Sequence, residues 1–184
     1  MVYDIFIFGQ EVLRHKAQPV AAVTPEIRKL VRDMLDTMYD APGVGLAAEQ
    51  IGREEALCVI DVPANAEIPA CVASNAAITM PLILINPVIT ATAGQQRGEE
   101  GCLSFPDISA PITRPMQVTV AYLDLEGRAQ TATAQGLLAR AILHETDHLN
   151  GVLLVDRMSA IQRLAVAGKL KRMQQEAAQG AHRR

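Results

Sequence analysis

The hydrophobic residues of segment 25–39 recur at spacings of three and four, which is typical of an amphipathic helix. They are Ile27, Leu30, Val31, Met34, Leu35 and Met38. The three residues Thr24, Pro25 and Glu26 suit a helix cap, a first helical position and the positive end of the helix dipole. The pattern therefore predicts a helix over 25–39 that buries one face.

Three short segments rich in branched residues predict β-strands, and they are 57–62, 82–89 and 118–123. A fourth strand over 128–134 is expected after the turn at 124–127. Pro87 lacks a backbone donor, so we expect the second strand to lie at a sheet edge or to end there. Residues 124–127 predict a hairpin turn between the last two strands. Segment 63–81 has no clear period and is expected to be a surface loop.

Two further helices are predicted in the C-terminal third of the chain. One covers 137–150, between Gly136 and Gly151, and the other covers 159–178. The apolar contacts expected for the second helix are Ile161, Leu164, Ala165 and Met173. The order of one helix, several strands and two helices predicts an α+β fold instead of alternating βαβ units. A chain of 184 residues suits one domain, 1–184.

The composition excludes several classes of protein. Hydrophobic residues make up 49% and charged residues 20%, so disorder, collagen and coiled coil are poor fits. No apolar run approaches the ~18 residues of a membrane span, so we expect no membrane association and a cytoplasmic location. Three cysteines are an odd number and too few for a disulfide scaffold, which leaves them available as thiols or metal ligands.

The charges are distributed unevenly along the chain. Residues 157–184 contain seven of the 17 Lys and Arg but only one acid, Glu176. This segment is therefore a basic C-terminal helix and tail on an acidic body. Such a segment could contact RNA or another acidic surface, although a solvated amphipathic helix is the commoner explanation.

The sequence His144-Glu145-Thr146-Asp147-His148 is an H-E-x-x-H motif inside a predicted helix. Residues four apart lie on the same face of a helix, so both imidazoles can bind one metal ion. Two histidines and an acid on an otherwise apolar helix would be costly to bury without such a partner. The motif therefore predicts a metal site.

The third ligand of this site has several candidates, because a catalytic metal site usually has three protein ligands. Leu154 stands where a metzincin motif has its third histidine, and the downstream acid Glu176 lies in the basic tail. Cys102 lies in a glycine-flanked segment, and its thiolate is a strong ligand for Fe(II) or Zn(II). We expect a Cys-His-His site, with Cys58 a small core residue and Cys71 incidental.

Three segments together resemble the three motifs of peptide deformylases, in the same order. They are Gly43-Val44-Gly45-Leu46-Ala47-Ala48-Glu49-Gln50, Glu100-Gly101-Cys102-Leu103-Ser104 and His144-Glu145-Thr146-Asp147-His148. The similarity extends from about residue 12 to residue 160. It implies mainly antiparallel sheets packed around a central helix that carries H-E-x-x-H, followed by a C-terminal helix.

The resemblance implies a metal-dependent hydrolysis that removes the formyl group from N-terminal formylmethionine and releases formate. Cys102, His144 and His148 would bind the metal, Fe(II) in the cell, with Zn(II), Ni(II) or Co(II) possible in purified protein. Glu145 would take a proton from the attacking metal-bound water and return it to the leaving amine. The Gln50 amide and the backbone N–H of Leu103 would stabilise the charge on the carbonyl oxygen.

The resemblance also implies where the N-formylmethionyl nascent peptide would bind. The peptide would run alongside residues 43–45 and bond their backbone. The residues implied in substrate binding are Val44, Gly45, Glu100, Leu137 and Ala141. Arg140 lies at the pocket edge, where its stem contacts substrate or its charge pairs with an acid. The basic C-terminal segment implies a contact with the ribosome.

The chain departs from the family pattern at two single positions and in one loop. Leu143 and Thr146 stand at positions where many relatives have other residues. The 63–81 loop is longer than in compact bacterial members.

We also predict that Arg114 and Asp147 form a buried pair that stabilises the helix carrying H-E-x-x-H, which we call the metal helix.

Two alternative functions use the same metal motif. The first is a metallopeptidase, or a relative that acts on another acyl group. The second is a structural metal module in which Cys58 or Cys71 supplies a fourth ligand. Intact Glu145 and Gln50 argue against the second alternative, because a structural site needs neither.

Overall fold

The computed structural model describes residues 1–180 and the backbone of residues 182 and 183. Its strands are β1 (Ile5–Phe6), β2 (Gly45–Ala47), β3 (Leu57–Ile60), β4 (Leu82–Ala93), β5 (Gln96–Gly101), β6 (Ser109–Arg114), β7 (Gln117–Leu123), β8 (Ala129–Gln135) and β9 (His182–Arg183). Its α-helices are α1 (Pro25–Asp40), α2 (Pro69–Asn75), α3 (Gly136–Leu149), α4 (Leu154–Arg157) and α5 (Ala160–Ala178). Short 3-10 helices cover Glu11–Arg14, Ala48–Ile51 and Ala64–Ala66.

The central sheet is antiparallel and has the strand order β2-β3-β4-β7-β8. A separate hairpin pairs β5 with β6, and β1 pairs with β9. Helix α3 packs against β2, β3, β7 and β8. The α+β fold with antiparallel sheets, a central H-E-x-x-H helix and a C-terminal helix is therefore confirmed.

Strand β3 shows how the two faces of the sheet are used. Cys58 and Ile60 pack in the cluster that contains α3, whereas Leu57 and Val59 pack in the cluster that contains α1. Successive residues of a strand point to opposite faces, and all four side chains are fully buried because both faces of β3 are covered. The sheet therefore lies between the two helices.

The predicted helix over 25–39 is confirmed as α1. The Thr24 hydroxyl accepts a hydrogen bond from the backbone N–H of Ile27, and Pro25 occupies the first helical position. The predicted helix over 137–150 is confirmed as α3. Gly151, which follows the end of this helix, has a left-handed backbone conformation (φ 70°). The four predicted strands are also present, as β3, β4, β7 and β8.

The expectation of an irregular loop over 63–81 is wrong, because the segment contains a 3-10 helix and α2. Pro69 begins α2, where a missing backbone donor is tolerated. Cys71, expected to be incidental, is part of α2 and is 1% exposed. The expected position of Pro87 is also wrong, because β4 lies between β3 and β7 and its register shifts between Ile85 and Val88. A bulge there removes the need for a proline donor.

Helix α5 confirms the predicted C-terminal helix but not all of its predicted contacts. Met173 and Ala177 are buried in a cluster with β6 and α4. Ile161 and Leu164 are 82% and 77% exposed and Ala165 is exposed as well, so the apolar contacts expected for these three residues are wrong. The end of the predicted basic tail lies outside the described residues, namely residues 181 and 184 and the side chains of 182–183. None of the helices in the described part of the chain is long and apolar enough to cross a bilayer.

Candidate metal centre and substrate cavity

The three predicted metal ligands lie together between β5 and α3. Cys102 directly follows β5, and His144 and His148 lie one turn apart on α3. One ligand atom from each residue lies within 4.8 Å of the other two. The Sγ of Cys102 is 3.2 Å from Nε2 of His148. A thiol and two imidazoles in this arrangement suit a metal such as Fe(II) or Zn(II).

Glu100 holds one of these histidines in position. Its Oε2 lies 3.2 Å from Nδ1 of His144, which leaves Nε2 of the same ring free to bind a metal. Burial lowers the pKa of His148 well below its ordinary value, so this ring is neutral. A neutral imidazole is the form that binds metal ions.

A buried network of charges surrounds Glu100. Arg114 donates to both of its carboxylate oxygens at 2.9 Å, and Arg140 donates to Oε1 at 2.7 Å. Burial alone would raise the pKa of Glu100, but the hydrogen bonds from Arg114 and His144 hold it well below its ordinary value. Glu100 therefore stays ionised, which keeps a negative charge behind the metal ligands.

The predicted pair of Arg114 and Asp147 is present. Nη1 of Arg114 donates to Oδ2 of Asp147 at 2.6 Å, and the Arg114 side chain is 4% exposed. Arg157 pairs with the same carboxylate from the protein surface. One arginine thus connects Asp147 on the metal helix to Glu100 on the neighbouring hairpin.

The cavity in front of the three metal ligands has a volume of about 720 Å³. All five residues predicted to bind substrate line it, and they are Val44, Gly45, Glu100, Leu137 and Ala141. Arg140 also lines it, and of the two alternatives for this residue the structure shows pairing with an acid, Glu100. The pocket therefore combines an apolar wall at Val44, Leu137 and Ala141 with the buried ion pair of Arg140 and Glu100.

Glu145 projects into this cavity beside the metal ligands. The residue is 4% exposed, and its Oε2 has no hydrogen-bond partner within the described residues. Burial raises the pKa of Glu145 to about 7, with further contributions from neighbouring charges. A Cβ atom at Gly45 would overlap the Glu145 carboxylate, so only glycine leaves room for it. The carboxyl group can therefore exchange protons near neutral pH.

Gln50 is positioned by two residues on different segments. Its Oε1 accepts from the backbone N–H of Ala47 at 2.9 Å, and its Nε2 donates to Oγ of Ser104 at 3.1 Å. The same Nε2 lies 3.5 Å from Sγ of Cys102. Leu103, the other predicted source of an oxyanion donor, also lines the cavity. The amide thus lies next to the metal ligands.

Two buried residues of the site were not predicted. Ser104 is fully buried, and only its place in the second motif could have suggested its contact with Gln50. Glu49 is 1% exposed, and neither carboxylate oxygen has a hydrogen-bond partner among the described side chains and backbone. Burial raises the pKa of Glu49 to about 8. A glutamate in a 3-10 helix carries no sequence signal of burial.

Comparisons with known proteins agree with this geometry. The profile of the family described as "Polypeptide deformylase" matches residues 2–164. A peptide deformylase of Nitrosococcus oceani is 44% identical over 173 residues, which cover 94% of this chain and 96% of the relative.

Solved structures agree as well. The crystal structure of a peptide deformylase from Legionella pneumophila has a TM-score of 0.81 and 37% identity, over 97% of this chain and 98% of that one. A peptide deformylase from Synechococcus elongatus in complex with actinonin has a TM-score of 0.79 and 43% identity, over 91% of this chain and 87% of that one.

Proposed function

The chain belongs to the polypeptide deformylase family, and we propose that it removes the formyl group from formylmethionyl peptides by metal-dependent hydrolysis at the Cys102, His144 and His148 site. Enzymes of this family are hydrolases that act on formylated nascent peptides. The observation that carries the proposal is the position of Glu145 in the cavity lined by Cys102 and His144, two of the three clustered ligands.

The donor set fits a divalent transition metal. Glu100 occupies Nδ1 of His144 and burial keeps His148 neutral, so both rings can present Nε2 beside the Cys102 thiol. We infer Fe(II) in the cell, with Zn(II), Ni(II) or Co(II) able to occupy the same ligands in purified protein. A bound ion would lower the pKa of a water molecule and polarise the formyl carbonyl.

Glu145 serves as the general base and then the general acid of the proposed reaction. Its carboxylate takes a proton from the attacking water and returns that proton to the amine nitrogen as the bond to the formyl carbon breaks. A pKa of about 7 suits both steps, because the group can be ionised or protonated at neutral pH.

Gln50 and Leu103 stabilise the negative charge that develops on the formyl oxygen. The Gln50 amide is held by Ala47 and Ser104, so it needs no reorganisation when the charge appears. The backbone N–H of Leu103 supplies a second donor. The two donors approach the carbonyl oxygen from different segments of the chain.

The peptide substrate adds to the free edge of the central sheet. Strand β2 is the last strand in the sheet order, so the free backbone groups of Gly45, and of Val44 just before the strand, can bond an extended chain. The carbonyl of Val44 is already used, because it accepts from the N–H of Asp61. The methionine side chain then enters the pocket lined by Glu100, Leu137 and Ala141. This arrangement places the formyl group beside Glu145.

We further propose that the enzyme works in the cytoplasm and that helix α5 contacts the ribosome. Arg163, Lys171 and Arg172 are exposed on this helix. Because Met173 and Ala177 pack into the core, charge removal tests this contact better than truncation. Replacing the three basic residues by glutamine should reduce co-sedimentation with ribosomes at low salt. Unchanged co-sedimentation would defeat the contact while leaving the hydrolysis intact.

The reaction is tested with three tripeptides and protein loaded anaerobically with Fe(II) or Ni(II). Formyl-Met-Ala-Ser should release formate, whereas acetyl-Met-Ala-Ser should release no acetate. Met-Ala-Ser should stay intact. Cleavage of a peptide bond in Met-Ala-Ser would favour a metallopeptidase, and release of acetate would favour another acyl substrate.

A further inference from the structure

The segment between β3 and β4 contacts the beginning of the metal helix. Gln135 precedes α3 and makes no side-chain cap hydrogen bond to it. Instead, Oε1 of Glu67 accepts a hydrogen bond from the backbone N–H of Leu138 at 2.6 Å. A carboxylate at this end of a helix satisfies a free donor and complements the helix dipole. Glu67 thus caps α3 from a distant part of the chain.

Asn75 fastens the same segment to the residue before α3. Its Nδ2 donates to the carbonyl of Gln135 at 3.0 Å, and its Oδ1 accepts from the N–H of Gln135 at 2.9 Å. The Nδ2 group also lies 3.5 Å from Oε1 of Glu67. The side chain of Asn75 therefore imitates a neighbouring strand, and it links Glu67 to the end of β8.

The packing between these groups leaves no free space. Gly136 has a φ of 66°, and a Cβ atom there would lie 2.6 Å from Oε2 of Glu67 and 2.7 Å from Sγ of Cys71. The first turn of α3 can therefore shift toward the segment only if Glu67 and Cys71 also move.

The first turn of α3 forms a wall of the substrate cavity, through Leu137 and, one turn later, Ala141. The catalytic end of the helix has separate support, because Glu100 holds His144 and Arg114 holds Asp147. Movement of the first turn would therefore change the shape of the pocket more than the metal site.

We propose that Glu67, supported by Asn75, is a specificity-determining positioning residue that fixes the pocket wall for the first side chain of the substrate. The inference rests on the proposed deformylase function. Glu67 does not touch the substrate; it acts through the position of Leu137.

The test compares Glu67→Ala, Glu67→Gln and Asn65→Ala by steady-state formate release from formyl-Met-Ala-Ser and formyl-Phe-Ala-Ser. In Glu67→Ala, KM for the methionine peptide should rise about three- to tenfold, as expected for a lost helix cap. Its kcat should change less than twofold, and the preference for methionine over phenylalanine should fall. Glu67→Gln keeps an acceptor for Leu138 and should restore most of the preference. Asn65 is exposed in the same segment and serves as the matched control.

Amide hydrogen exchange supplies a readout that does not depend on activity. Glu67→Ala should accelerate exchange in residues 137–141 at least fivefold and leave residues 144–149 unchanged. Unchanged KM, preference and exchange in Glu67→Ala would overturn the inference, as would equal effects in Asn65→Ala. If the wild type released no formate, the proposed function would fail, while the exchange data would still report whether Glu67 holds the helix.

Discussion

The buried carboxyl group of Glu49 should make the stability of the protein fall as the pH rises. Glu49 is 1% exposed and has no hydrogen-bond partner among the described residues, and burial raises its pKa from 4.5 to about 8. The folded protein therefore keeps a proton that the unfolded chain releases. The contribution of protonated Glu49 to the unfolding free energy is fully present below pH 4.5 and is lost as the pH rises to about 8.

The magnitude follows from the two pKa values. At 1.36 kcal/mol for each pH unit between 4.5 and about 8, the loss of unfolding free energy reaches about 5 kcal/mol above pH 8. Glu49→Gln removes this titration and keeps the shape of the side chain. The difference in unfolding free energy between Glu49→Gln and wild type should therefore shift by about 4 kcal/mol in favour of the variant between pH 5 and pH 9. An unpartnered buried amide costs about 1–3 kcal/mol, but that cost is the same at every pH.

Urea unfolding of Glu49→Gln and wild type at pH 5, 7 and 9, with the same metal loaded, measures this difference. The pH dependence of metal binding is common to both proteins and cancels. Glu54 is exposed and lies in the same region, so Glu54→Gln is the matched control and should show no trend. A difference between Glu49→Gln and wild type that stays constant from pH 5 to pH 9 would refute the reasoning.

Three further predictions concern the metal site and its support. Arg114→Leu removes the buried guanidinium that pairs with both Glu100 and Asp147, so urea unfolding should show a loss of about 3–5 kcal/mol and metal titration a roughly 10–100-fold weaker affinity, although Arg140 and Arg157 remain as partners of the two acids. Unchanged values would count against the proposed support of the metal helix by Arg114. Gln50→Ala removes one oxyanion donor and should lower kcat by about 10²–10³ with little change in KM, and a loss confined to KM would disagree with the assigned role. Removal of the metal with a chelator should abolish formate release, and Fe(II) or Ni(II) should restore it; activity in metal-free protein would contradict the mechanism.

Much of the fold could be predicted because its elements bury one regular face. The three- and four-residue spacing in α1 and the branched residues of β3 and β7 express that burial directly in the sequence. The hairpin of β5 and β6 could not be found in this way. Strand β5 is mostly polar and exposed, and it buries only Glu100. Strand β5 forms through backbone hydrogen bonds with β6 and not through burial of an apolar face.

The site could be predicted in part because its ligands lie in short motifs. The pair of Arg114 and Asp147 could be predicted because a charge between two metal ligands needs a partner. The contacts of Glu67, Asn75 and Ser104 could not, because each depends on segments brought together only by the tertiary fold. Burial of Ile161 and Leu164 was predicted wrongly, since spacing along α5 does not reveal which face the core covers.

In the proposed function, Cys102, His144 and His148 hold a metal ion beside a catalytic Glu145. The most direct measurement is formate release from formyl-Met-Ala-Ser by wild type and Glu145→Gln, with the metal content of each protein determined on the same sample. We expect about one metal ion per chain in both proteins and formate release by wild type alone. Equal release by Glu145→Gln at equal metal content, or no release by fully loaded wild type, would contradict the proposed function.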